Sequence, residues 1–344
     1  MSATREAFPI FAPRDFTMTK EDLLARLAEV PTVDLVAAAL ADDGAKLRIK
    51  GLAGSAAAFV VMNVVKQTDR HHLIVLTDRE EAAYFLSDLE LLMGKKKVLF
   101  FPMSHRRPYE LEQTDNSNVI QRGEVLNALQ SSTAQQIIVT YAKALAEKVT
   151  SKRLLKQNTF QISVGEKLSL DFMNEMLNEY QFNRVDQVYE TGQFAIRGGI
   201  VDVFSFAQEL PIRIEFFGND VESIRAFDPG EQLSVKSLKK ASIVPNVQDD
   251  VMLQETVSFL EFLPSSTIIW AKDAEAISLK VEQELVSAKD AYSQLKSVVS
   301  QPLPENRYLS AAQLVASMEK APVVEFGERR LFNRAQEFSF DMAP

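Results

Sequence analysis

KLRIKGLAGSAAAFVVM, residues 46–62, decides the fold. Leu47 to Lys50 reads as a short strand, Gly51 to Ser55 as a tight turn, and Ala56 to Val65 as an apolar helix. The same alternation recurs downstream. HLIVL (72–76), KVLFF (97–101) and QIIVT (136–140) are short apolar runs, and helical spacing fills the stretches 77–92 and 118–129. Apolar runs without polar alternation are what buried parallel strands require, because helices cover both faces of such a sheet. Thr77 and Glu80 match the pattern of a capping box, and Ala83, Leu86, Leu89 and Met93 follow it at helical spacing. Residues 46–152 are therefore predicted to form an α/β domain.

Working outward, residues 1–45 read as a helical segment, with helices over 19–30 and 33–40 that have no evident partner. After Val149 the pattern changes. A basic connector (Lys152, Arg153, Lys156) leads to an amphipathic helix, Leu170 to Tyr180, whose Met173, Met176, Leu177 and Tyr180 share one side. Short strands follow in quick succession, and Gly218-Asn219 is a hairpin-turn signal between two of them. Residues 153–245 are thus predicted to be a small α+β unit with a mainly antiparallel sheet. Helices return over 246–344, notably 274–298, with an apolar strand at 267–270. This last segment is expected to pack back on the first domain, which makes the middle unit an insertion. The tail after Arg330 shows no periodicity, and the chain is expected to be a fragment of a longer protein.

A phosphate-binding loop belongs between a first strand and its helix. A working loop carries a lysine that reaches the β- and γ-phosphates and a hydroxyl that holds magnesium. Laid on that pattern, Gly51 and Gly54 are kept and Ser55 follows them, but Ala56 replaces the last glycine, Ala57 the lysine and Ala58 the hydroxyl. Backbone amides and the helix dipole could still attract one anion weakly. The two glycines could equally be doing no more than turning a strand into a helix. On either reading triphosphate hydrolysis is not expected, and the domain reads as RecA-like with a degenerate phosphate loop. No acidic pair follows the strand at 267–270, where a magnesium-binding motif would stand.

Composition narrows the rest. The chain has 344 residues, 46% hydrophobic and 25% charged, ample for more than one core. It has no cysteine, which removes disulfides and thiolate chemistry and suits a cytoplasmic setting. Its apolar run at 56–62 is too short to span a bilayer. Net charge is −9, so DNA binding over the whole surface is not expected. Lys95 to Lys97 with Arg106 and Arg107 could form a local basic patch, though such runs are more often solvated loop charge. His71, His72 and His105 lack metal-ligand spacing, and the first two are expected to be solvated or capping.

Three blocks carry a resemblance: GQFAIRGGIVDVF (192–204), ELPIRIEFF (209–217) and VESIRAFDP (221–229). They resemble the second domain of bacterial UvrB, and more closely the matching part of the transcription-repair coupling factor family, Mfd. The resemblance runs from about Lys46 to the end of the chain. UvrB resembles a working helicase-type ATPase, with a full phosphate loop and a long aromatic hairpin that clamps DNA. Here the loop is degenerate and 103–117 is too short for that hairpin. The chain is thus similar to the N-terminal, UvrB-like region of the coupling factors. The resemblance implies that it recruits UvrA, the damage-recognition ATPase of nucleotide excision repair. RNA polymerase, DNA, ATP and magnesium would be engaged by other domains of the longer protein, and no cofactor is expected here. Residues matching Arg197, Arg213 and Phe217 would contact UvrA from a sheet face.

The residues themselves agree in part. In 211–217 the pleat sends Ile212, Ile214 and Phe216 to one face and Arg213, Glu215 and Phe217 to the other. Arginine and aromatic residues dominate interface hot spots. The plainer alternative pairs Arg213 with Glu215 or Glu222 in water and tucks Phe217 against its turn. Gly198 and Gly199 are expected to bend the strand at Arg197 and disturb its parity. Two rival functions stay open, an ATP-driven DNA remodeller like UvrB and a DNA-binding domain.

Overall fold

In the computed structural model, residues 31–52, 54–94, 98–104, 116–248, 252–295 and 302–340 are described. The strand–turn–helix of 46–67 opens a seven-stranded sheet in which every neighbouring pair is parallel. Its order is Gln336–Ser339, Lys46–Lys50, Val323–Phe326, Ile268–Lys272, His72–Leu76, Ile137–Tyr141 and Val98–Phe101. His72–Leu76, Ile137–Tyr141 and Val323–Phe326 are buried at every residue, as strands covered on both faces are, with His72, Thr140 and Glu325 their polar members.

Several expectations shift in detail. The helix at Arg79–Met93 is capped one residue later than the pattern suggests: Asp78 accepts from the Glu81 amide, and Thr77 Oγ1 donates to the Glu81 carboxylate at 2.6 Å. Its buried face shifts accordingly to Ala82, Phe85 and Leu89, leaving Ala83 exposed. The helix Pro31–Ala39 does have a partner, since Val33 and Val36 join the main core and the helix packs on Ala56–Gln67. The tail after Arg330 is not structureless either, because Gln336–Ser339 forms the edge strand beside Lys46–Lys50. The expected helix at 19–30 lies outside the described residues.

The second unit begins where the chain leaves the first sheet. Val149–Thr150 pairs antiparallel with Thr256–Val257, and the Ser151 amide donates to the Glu255 carbonyl at 2.9 Å, so departure and return lie side by side. Between them a six-stranded sheet runs Ser234–Leu238, Asp220–Phe227, Ile212–Phe217, Ile200–Val203, Gln193–Arg197 and Asn183–Arg184. All its pairs are antiparallel except the last. The helix Leu170–Glu179, capped by Ser169, lays Met173, Met176 and Leu177 on its inner face against Ile212, Ile214 and Phe216. Phe206 packs against both main cores, and a Cβ at Gly123 on the helix Asn116–Ser131 would overlap the Phe206 carbonyl. The two units therefore meet in close contact.

His72 departs most from its expected role. It is fully buried in the first sheet, where its Nδ1 accepts from Trp270 Nε1 at 3.0 Å and its Nε2 lies 2.9 Å from Thr68 Oγ1. Those partners suit a neutral ring with the proton on Nε2. Burial, with help from His71 and Arg70, lowers its pKa to about 3. The unfolded ring takes up a proton near pH 6.5 while the folded one does not, so its contribution to stability is complete above that pH and shrinks as pH falls toward 3. Denaturant titrations should therefore find the chain about 1.4 kcal/mol less stable at pH 5.5 than well above pH 6.5 from this group alone. The His72 ring should still be neutral by NMR at pH 5; a protonated ring there would contradict the assignment.

Candidate functional site

Two places could carry function: the turn after the first strand and the outer face of the second sheet. At the turn, Gly51 holds a left-handed φ of 81°, and a Cβ there would overlap the carbonyl oxygen of Phe340. The Phe340 amide in turn donates to the Lys50 carbonyl at 3.0 Å. Gly51 is therefore required by the close approach of the 336–340 segment, whatever else it once served. Gly54 is also left-handed, at 53°, but with open space around it. Ser55 caps the helix Ala56–Gln67 without a side-chain hydrogen bond, and Ala56, Ala57 and Ala58 are buried. Ala57, in the place of the lysine, joins the main core rather than facing a phosphate.

Ligands of open parallel sheets bind beyond the carboxyl ends of the strands. Here that edge is tied together by protein groups. Lys272 pairs with Glu81 at 2.6 Å and Lys280 with Asp78 at 3.5 Å. Asp273 Oδ1 accepts from the amides of Glu328 and Arg329 at 2.6 and 2.8 Å. Among the described residues no cluster of His, Asp and Glu could hold a metal ion, and no helix is long and apolar enough to cross a membrane. With Ala57 packed into the core, calorimetric titration with magnesium and ATP should find no affinity in the micromolar range.

On the second sheet the pleat works as the sequence implies. Phe217 ends its strand beside the two-residue turn Gly218-Asn219, paired with Asp220, and its side chain is 79% exposed. Glu215 faces outward too, bound by Arg225 and by Ser223 Oγ, which donates at 2.7 Å. A shallow depression of about 370 Å³ lies beside it, lined by Glu222, Ser223, Arg225 and Ser237.

Arg213 is on the outward side but is not held as expected. Neither Glu215 nor Glu222 is its partner: the ladder sets it directly opposite Asp202, and Nε and Nη2 donate to the two Asp202 oxygens at 2.7 and 2.9 Å. The guanidinium also lies 4.5 Å from the Phe227 ring centroid and donates to Gln232. Only 17% of the side chain remains exposed, and none of Asp202. Arg197 ends Gln193–Arg197 with its parity intact, since Phe194 and Ile196 face the inner core while Arg197 reaches Asp202 on the outer side. The bend comes one residue later, in the turn Gly198-Gly199, where Gly198 has a φ of 59°. Arg197 keeps 44% of its side chain exposed.

Asp202 itself escapes sequence reasoning because it stands inside the apolar run IVDV, eleven positions before Arg213. Only the register joins them. Removing one member of a buried ion pair costs about 3–5 kcal/mol. Arg197 would still neutralise Asp202, so Arg213→Ala should lower stability toward the bottom of that range, at about 3 kcal/mol. Phe217→Ala should stay within about 0.5 kcal/mol of the parent in the same denaturant titration.

Comparison with known proteins agrees with this division. The family model described as the UvrB interaction domain matches residues 160–248, which takes in all six strands of the second sheet. The transcription-repair-coupling factor of Myxococcus xanthus is 30% identical over 208 residues, 59% of this chain and 17% of that protein. That of Bacillus subtilis is 27% identical over 228 residues, 66% and 19% of the two chains. The Staphylococcus aureus USA300 protein is 24% identical over 297 residues, 85% of this chain and 24% of its own. The chain thus spans about a fifth of the length of these relatives. Residues 160–248 thus match the UvrB interaction domain, in a chain similar to part of the transcription-repair-coupling factors.

Proposed function

We propose that this chain is a non-catalytic docking module that recruits UvrA, in the cytoplasm, to RNA polymerase stalled in transcription-coupled nucleotide excision repair. The observation that supports the reading best is Phe217, a large apolar side chain left 79% exposed at a hairpin tip within the region matched by the UvrB interaction domain. Arg197 and the Asp202–Arg213 pair lie on the same outer face, with Glu215. An aromatic beside guanidinium groups on a rigid sheet is the composition in which interface energy concentrates. RNA polymerase, DNA, ATP and magnesium belong, on this reading, to other parts of the longer relatives.

The enzymatic alternative, an ATP-driven remodeller like UvrB, is disfavoured by Ala57 in the core and by the ion pairs along the carboxyl edge of the first sheet. The basic runs that would serve DNA binding, Lys95 to Lys97 with Arg106 and Arg107, lie outside the described residues. Binding of the purified chain to UvrA, measured by calorimetry, tests the proposal. Phe217→Ala should weaken it by about 2 kcal/mol or more, roughly thirtyfold, with unfolding unchanged. Equal affinity of the two chains would remove this face from the contact.

A further inference from the structure

Asp202 is a carboxylate without solvent exposure on the outward side of an open sheet. An aspartate in that setting needs charged partners, because an unpaired buried charge is strongly disfavoured. It has two. Arg213, across the ladder, occupies both oxygens, and Arg197 Nη2 donates to Oδ2 as well. Two guanidinium groups thus share one carboxylate, and the cluster keeps one positive charge in excess.

The two arginines are not equivalent. Arg213 spends its donors on Asp202 and Gln232, covers Phe227, and is largely enclosed. Arg197 donates to Asp202 through Nη2 and makes a long bond, 3.4 Å, from Nη1 to the Asp186 carbonyl. It remains 44% exposed. A long flexible side chain loses affinity when a partner must immobilise it, roughly two- to tenfold for each such residue. One already gripped through part of its fork has lost much of that freedom in advance, and still offers donors suited to a second carboxylate.

Building on the docking reading above, we propose that Asp202 is a positioning residue, which holds Arg197 as the guanidinium that meets a carboxylate on the partner. The partner surface then presents an acidic side chain for Arg197 and an apolar recess for Phe217. Arg213 anchors Asp202 from behind.

Affinities of the full chain for purified UvrA would be measured for the parent, Arg197→Ala, Asp202→Asn, the double variant and Phe217→Ala. Arg197→Ala and Asp202→Asn should each weaken binding about tenfold, and the double variant should be little worse than either, because Asp202 acts through Arg197. Additive losses would overturn the positioning role, as would an Asp202→Asn chain that binds like the parent while Arg197→Ala is weakened. Should Asp202→Asn fail to fold, the parent decides. Its Arg197 guanidinium should show separate, slowly exchanging Nη–H signals by NMR, and a single averaged signal would refute the grip. Full affinity in Phe217→Ala, or no binding by the parent, would instead remove the docking reading and this inference with it.

Discussion

The strand Ile268–Lys272 lies between Val323–Phe326 and His72–Leu76, so the first sheet is completed only by chain that has passed through the second unit. Trp270 on that strand reaches across to His72, some two hundred positions earlier, and both are buried without residual exposure to speak of. Contacts at such separation form late, because loop closure precedes their reward. Ile268–Lys272 and Val323–Phe326, both from chain beyond the insertion, join Lys46–Lys50 to His72–Leu76 and so complete the sheet.

In the first unit, the polar groups along the carboxyl edge bind one another: Lys272 with Glu81, Lys280 with Asp78, and Asp273 with two backbone amides. At the turn after the first strand, Ala57 packs inward and Gly51 lies under the Phe340 backbone. In the second unit the inner sheet face is covered by the helix Leu170–Glu179, while the outer face carries an exposed phenylalanine and a charged cluster.

Much of this was legible from residues alone. The apolar runs at 72–76, 97–101 and 136–140 announced a parallel sheet, and the alternation in 212–217 assigned the faces of the key strand correctly. What escaped has a physical cause in each case. Gln336–Ser339 is mostly exposed and four residues long, too polar and too short for a period to show. His72 carries a polar ring into a strand, and its partner Trp270 is remote in sequence. The pairing of Asp202 with Arg213 and Arg197 depends on register, which no spacing rule supplies when a hairpin turn and a loop intervene. Glu215 was placed on the right face, but its engagement by Arg225 and Ser223 likewise needed the neighbouring strand.

The joint at Val149–Thr150 and Thr256–Val257 has a consequence for how such a molecule can change over time. Because the inserted unit starts and stops at adjacent rungs of one short ladder, its interior can drift, or be exchanged for another of the same span, with little demand on the parallel sheet beneath. The outer face of the insertion and the integrity of the frame are then inherited as separable traits, coupled where Phe206 touches both cores.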